Sequence, residues 1–189
     1  MRIMGIDPGI AHTGYAVVEC RNQELTLLDV GIIKTSSEDC FPARLKKIGI
    51  SLEEIIEKFH PGEISVEDIF IATNPRLALK LGQARGVAVF VAVKAQVAIY
   101  EYTPLQVKEA IVGYGRATKD QVRKMVRVLL NLKELKVHDD ASDALAVAVC
   151  HYQFSRLRYY SDDSLRGGAR SSKGSREGTP SSQGSPEPI

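Results

Sequence analysis

Arg2-Ile3-Met4-Gly5-Ile6-Asp7-Pro8-Gly9 is the stretch on which the fold turns. A short apolar run is stopped by Asp-Pro-Gly, a turn signal, so a strand delivers Asp7 to its very end. Beyond the turn, Thr13 to Glu19 and Leu25 to Thr35 are rich in β-branched and other apolar residues and predict two further strands in an antiparallel meander. Residues 41–59 switch to a helical period, with Leu45, Ile48, Leu52, Ile55 and Ile56 on one stripe. Pro61-Gly62 closes that helix, and Ile64 to Val66 forms a fourth strand running into Glu67-Asp68.

Asn74-Pro75 opens the next helix, with Asn as cap and Pro in the first turn, and the pattern carries it to about Ala98. Gly82, Ala84, Gly86 and Ala88 let a neighbour approach this helix closely. Ile99 to Tyr102 predicts a fifth strand, followed by a short helix over 105–112, a Gly-rich turn at 113–115 and an amphipathic helix over 118–131. The last helix runs from about Asp139 to Tyr160 and is rich in Ala and Val, as a helix pressed on a sheet would be. Strands first and helices later predict an α/β domain with a mixed sheet over residues 1–160. Residues 161–189 hold eight Ser, five Gly and three Pro with almost no large apolar side chain, so they are expected to form a disordered tail.

The composition, 44% hydrophobic and 25% charged, is that of an ordinary globular chain, and 189 residues suit one well-buried domain. A net charge of +2 neither demands nor excludes a polyanion partner, because acids gathered in a site and bases around it cancel in the sum. Cys20, Cys40 and Cys150 form no CxxC pair. Without a recognisable signal peptide or an apolar run of the ~20 residues a membrane span needs, no membrane and a reducing cytoplasm are expected.

Four carboxylates stand where chemistry can use them. Asp7 and Glu67 end two strands, while Asp140 and Asp143 lie three apart on one face of the final helix, in its first turn. Each has a plainer role when taken alone: Asp7 as a turn residue, Asp140 and Asp143 as partners of the helix dipole, Glu67 as an exposed strand end. Together they predict a convergence at one end of the sheet. Clustered carboxylates repel one another, a cost seldom kept for structure alone. Hard oxygen donors suit Mg²⁺, and phosphodiester hydrolysis needs charge stabilised on both the attacking and leaving oxygens.

The same residues carry a resemblance. Gly5-Ile6-Asp7-Pro8-Gly9 with Thr13-Gly14-Tyr15, Glu67-Asp68-Ile69-Phe70, Leu79 to Val87, Gln106-Val107-Lys108 and Asp140 to Ala146 occur in the order found in the RuvC family of Holliday-junction resolvases. The chain resembles that family over about residues 1–155. The resemblance implies an RNase H-like fold, a mixed five-stranded sheet flanked by helices, and a homodimer that nicks like-polarity strands across a four-way DNA junction. It implies Asp7, Glu67, Asp140 and Asp143 as catalytic metal ligands, with Lys108 and Lys119 beside them. The cofactor it implies is Mg²⁺, one or two per subunit, with Mn²⁺ as a substitute. It also implies that Phe70 stacks on a base near the crossover, and that a branch-migration motor (RuvA and RuvB) is a partner. Asp139 is an additional neighbouring acid outside the expected site.

Lys119, Arg123 and Arg127 recur every four residues as a basic stripe, and Arg76 and Lys80 lie one turn apart near the start of their helix. An isolated stripe is most simply a solvated face; beside a nuclease site these residues become candidates for phosphate contact. Three other readings compete. The opening motif is also similar to the actin-like nucleotide fold, but that fold duplicates its domain, and the chain has no second phosphate loop. A junction-binding protein without chemistry is disfavoured by the presence of all four acids. A related nuclease acting on RNA or RNA–DNA hybrids shares the fold and is disfavoured by the 79–87 segment and Phe70.

Overall fold

The computed structural model describes the backbone of residues 1–68 and 74–167, with side chains as far as Arg156. One five-stranded sheet has the order β3-β2-β1-β4-β5, built from β1 (Arg2–Asp7), β2 (His12–Arg21), β3 (Glu24–Lys34), β4 (Glu63–Glu67) and β5 (Ala98–Tyr102). The first three strands pair antiparallel as a meander, whereas β4 joins β1 and β5 joins β4 in parallel. The switch has a connectivity cause. β3 returns through α1 (Phe41–Phe59) and β4 reaches β5 through α2 (Pro75–Lys94), and a crossover helix is what a parallel neighbour requires.

Strand alternation sorts the two faces. Met4, Ile6, Ile64, Val66 and Ile99 point to a core closed by α1 and α2, through Ile48, Leu52, Ala88 and Val91. Ile3, Ala16, Val18, Tyr100 and Tyr102 point the other way, toward α3 (Pro104–Val112), α4 (Lys119–Leu129) and α5 (Asp139–Gly167). Between Ala144 and Tyr152 every residue of α5 is buried. Sheet lies on one side of this stretch and α3 and α4 on the other, which is why Ala and Val, rather than an amphipathic stripe, fill it.

Two glycines set how closely α5 can lie. A Cβ on Gly5 would stand 2.1 Å from the Ala144 carbonyl oxygen, and one on Gly14 would stand 2.0 Å from that of Asp140. Gly14 is the register partner of Asp7. The bare backbone of β1 and β2 thus admits the first turn of α5 directly onto the strand end that carries Asp7.

Helix starts follow their caps. Asn74 accepts from the backbone N–H groups of Arg76 (3.0 Å) and Leu77 (3.3 Å). Thr103 with Gln106, and Thr118 with Gln121, form reciprocal capping boxes on α3 and α4. Two helix ends depart from the sequence reading. α2 stops at Lys94 rather than about Ala98, because Gln96 takes a left-handed conformation (φ 56°) that turns the chain into β5. α5 runs on to Gly167, seven residues past the expected boundary at Tyr160. Its next helix breaker is the Gly167-Gly168 pair, not the Ser and Asp residues before it. Residues 168–189 of the expected tail lie outside the described residues. Among the described residues no helix is long and apolar enough to cross a membrane.

Candidate active site

The register brings the first two acids together. Ile6 pairs with Val66 in the parallel β1–β4 ladder, so Asp7 and Glu67, one residue further along, end adjacent strands at the same edge. Both point to the α5 face, since Ile6 and Val66 between them face the α1/α2 core. The first turn of α5 lies against Gly14 and adds Asp140 and Asp143. Asp7, Glu67, Asp140, Asp143, Lys108 and Lys119 line one cleft of about 500 Å³, with Pro8, His12 and Leu81 in its walls.

Electrostatics define the cluster. Burial pushes the Asp7 carboxyl up to about 7, helped by the negative charges of Glu67, Asp143 and Asp140 and opposed by Lys119. Glu67 is likewise pushed up to about 7, by burial first and then by Asp143, with Lys119 and Lys108 pulling it down. Lys119 Nζ donates to Asp143 Oδ2 at 2.6 Å, and this bond chiefly raises its own pKa. Five carboxylates, the four of the cluster and Asp68, share the lining with two ammonium groups, so acids outnumber bases in a partly desolvated cleft. A divalent cation with a preference for hard oxygen ligands fits that donor set. An acid cluster with no such ion is held together against its own repulsion.

The other expected residues are distributed differently. Arg123 pairs with Asp139 (2.5 Å) and donates from Nε to Ser142 Oγ (3.2 Å), tying α4 to the start of α5. Arg127 donates to the Lys133 carbonyl. Of the basic stripe on α4, only Lys119 lines the cleft, while Arg123 and Arg127 are engaged within the chain. Lys80 Nζ lies 5.6 Å from the Phe41 ring centre, and Arg76 is exposed near the start of α2. Phe70 lies outside the described residues. Asp139, left out of the expected site, pairs with Arg123.

Two histidines escaped the sequence reading. His12 Nδ1 stands 3.6 Å and His138 Nδ1 3.3 Å from Asp140 Oδ2. A lone histidine carries little signal by itself. The available clue was position: one follows the Asp7 turn and the other stands two residues before Asp140.

A family model described as crossover junction endodeoxyribonuclease RuvC matches residues 3–151. The chain belongs to the RuvC family. Among relatives named crossover junction endodeoxyribonuclease RuvC, that of Alkaliphilus metalliredigens is 50% identical over 151 residues, covering 80% of this chain and 92% of the relative. That of Geotalea uraniireducens is 52% identical over 157 residues, covering 83% and 91%. In solved structures, the fold is similar to Thermus thermophilus RuvC in complex with a Holliday junction substrate (TM-score 0.80, 37% identity, 83% of this chain and 96% of that one). It is also similar to the yeast mitochondrial Holliday junction resolvase Ydc2 (TM-score 0.63, 16% identity, 87% and 83%), a likeness of fold alone. The RuvC match runs from within β1 to within α5, and so includes every acid of the cluster.

Proposed function

We propose that this RuvC-family chain is a Mg²⁺-dependent endonuclease that resolves four-way DNA junctions in recombination and repair by paired phosphodiester hydrolysis. One observation carries the reading: four carboxylates from two strand ends and one helix turn meet two lysines in a single open cleft. The relatives' names and the junction complex of the Thermus protein support the substrate.

Asp7, Glu67, Asp140 and Asp143 would hold Mg²⁺, one or two ions, with Mn²⁺ as a substitute. The bound ion would make a water more acidic and neutralise charge on the phosphate. The chain's own residues do the rest. The excess of acids in the cleft would repel a phosphate unless a cation shielded them. Lys119, fixed by Asp143, and Lys108, whose charge reaches Glu67, present ammonium groups where negative charge would develop on the scissile group. Arg76, Lys80, Arg123 and Arg127 are proposed to contact backbone phosphates, the last two after exchanging partners within the chain. Phe70, three residues beyond Glu67, is proposed to stack on an unpaired base at the crossover.

A homodimer is proposed through the outer face of α2. Leu79, Phe90 and Val93 are 71%, 64% and 55% exposed on one stripe, with Gly82 and Gly86 open between them. A two-fold pair would present two clefts to a roughly two-fold junction. RuvA and RuvB are proposed as motor partners, and the cytoplasm as the compartment, on family membership.

The test is incubation with an immobile four-way junction, a matched linear duplex and an RNA–DNA hybrid, each with Mg²⁺ and with chelator. Symmetric nicks in the junction alone, abolished by chelator, are expected. Equal cutting of the hybrid would replace the junction reading with a broader nuclease. Asp7→Asn should abolish nicking and leave junction affinity within a few-fold; a large loss of binding would make Asp7 structural.

A further inference from the structure

His12, His138 and Asp140 make a second constellation at the rim of the cleft. Their candidate ligand atoms all lie within 4.8 Å of one another, and the two ring centres are 4.7 Å apart. The two histidine nitrogens stand 3.3 and 3.6 Å from the same carboxylate oxygen. Ligands bound tetrahedrally at about 2.0–2.2 Å stand roughly 3.3–3.6 Å apart, so both spacings are those of neighbours around one ion. The backbone supports the arrangement: the turn that launches β2 places His12, and His138 is the last residue before α5. All three side chains are about a third exposed or more (38%, 42% and 32%), which leaves an entry path and vacant coordination positions.

The donor chemistry differs from that of the acid cluster. Two imidazole nitrogens with one carboxylate suit Zn²⁺ and its borderline neighbours, whereas Mg²⁺ prefers oxygen alone. We propose that His12, His138 and Asp140 form a separate transition-metal site, filled by Zn²⁺ or a like ion, which draws Asp140 away from the hard-ion cluster and so antagonises it. The binding claim stands on the histidines' geometry; the antagonism rests also on the function proposed above. Because one carboxylate serves both clusters, a protein loaded at the histidines lacks a full acid set.

The experiment is a titration of the metal-free full-length chain with Co²⁺, followed in the visible by the strong absorption of four- or five-coordinate Co²⁺ and reversed by Zn²⁺. One Co²⁺ per chain is expected. His12→Ala and His138→Ala should each weaken binding by at least the ~10–100-fold that losing an outer-shell partner costs. Asp7→Asn should keep the band, because it removes an acid but no histidine. Undiminished binding in both histidine variants, only the faint absorption of six-coordinate Co²⁺, or loss of the band in Asp7→Asn overturns the proposal. His138 lies outside any strand or helix, so His138→Ala decides the matter should His12→Ala fail to fold, as checked by thermal melting. In Mg²⁺-supported junction nicking, micromolar Zn²⁺ should inhibit wild type at least tenfold more potently than His138→Ala. Equal inhibition overturns the antagonism. Should wild type nick no substrate, the proposed function fails, and the Co²⁺ titration still decides the metal site.

Discussion

Glu63 and Glu67 stand at opposite ends of β4, on the same face and under the same helix, and the fold treats them in opposite ways. Glu63 meets His151 of α5, Nε2 to Oε2 at 2.9 Å, and the far side of that imidazole meets the Tyr102 hydroxyl at 2.7 Å. His151 and Tyr102 are almost wholly buried. Glu67 lies beside Asp7 at the site end instead, and burial, then the charge of Asp143, pushes it up to about 7 against Lys119 and Lys108. A carboxylate kept for structure is given a hydrogen-bonding partner; one surrounded by like charge is held in readiness for a cation. The α5 helix does both, through His151 at one end of the strand and Asp143 at the other.

The largest expected effect breaks the pair by function. Glu67→Gln should lower Mg²⁺-supported nicking by on the order of 10²–10³-fold or more, the scale of losing a charge-stabilising group at a reacting centre. It should also raise the melting temperature of the metal-free protein at pH 8. Glu63→Ala should do the reverse, costing about 1–3 kcal/mol of stability by orphaning a buried imidazole nitrogen, while nicking by the folded fraction stays within a few-fold. Paired melts and single-turnover nicking assays check both. If Glu67→Gln destabilised the chain as much as Glu63→Ala, the contrast would vanish.

Lys119→Met comes next. It removes the ammonium bonded to Asp143 and leaves the acids with less compensation. Nicking should fall by roughly 10²-fold, and the apparent affinity for Mg²⁺ should rise, because Lys108 is then the one lysine of the cleft left to compete with the ion. A fall in Mg²⁺ affinity would show that Lys119 instead pre-shapes the acid cluster.

The raised pKa values also give a sign for pH. The folded chain holds protons on Asp7 and Glu67 up to about pH 7, whereas unfolded carboxylates lose theirs near 4. Over that interval the native state binds more protons, so metal-free stability falls as pH rises from about 4 to 7 and levels off above. Below about pH 4 both states are protonated and the effect disappears. On the proposed function Mg²⁺ would bind the ionised native cluster, so it should raise the melting temperature more at pH 8 than at pH 5. An equal increment at both would mean that these two acids do not titrate with the ion.

Much of this was legible in the residues, and the rest was hidden for physical reasons. Strand alternation and capping residues predicted all five strands and the start of every helix within a residue or two. The end of α2 was hidden because Gln96 adopts a left-handed conformation that its side chain does not announce. The end of α5 was hidden because Ser161 to Ser164 resembles a tail in composition while containing no helix breaker. At the site, the acids were found by their places at element ends. Their degree of burial was not, since it depends on how closely Gly5 and Gly14 admit α5. The two histidines were missed because nothing along the chain relates His12 to His138, which only the β2–α5 contact unites.

The smallest expected effect concerns Arg123, and it sharpens the comparison on α4 itself. Lys119 and Arg123 stand one turn apart, yet Lys119 turns into the cleft and Arg123 to Asp139 and Ser142 outside it. Asp139 is 69% exposed, so this ion pair is screened, and Arg123→Ala should cost no more than about 1 kcal/mol. Its effect on DNA depends on whether the guanidinium leaves Asp139 for a phosphate. A phosphate contact contributes about 0.9 to the magnitude of the log–log salt slope on duplex DNA. Exchange of one anionic partner for another regains little charge attraction, so Arg123→Ala should weaken binding less than the exposed Arg76→Ala. Asp139→Asn removes the competitor, and should restore to Arg123 a full phosphate contribution. A steeper salt slope in Asp139→Asn, absent from the Arg123→Ala/Asp139→Asn double variant, would show that Asp139 restrains Arg123. An unchanged slope in Asp139→Asn would leave Arg123 a tie between α4 and α5 and nothing more.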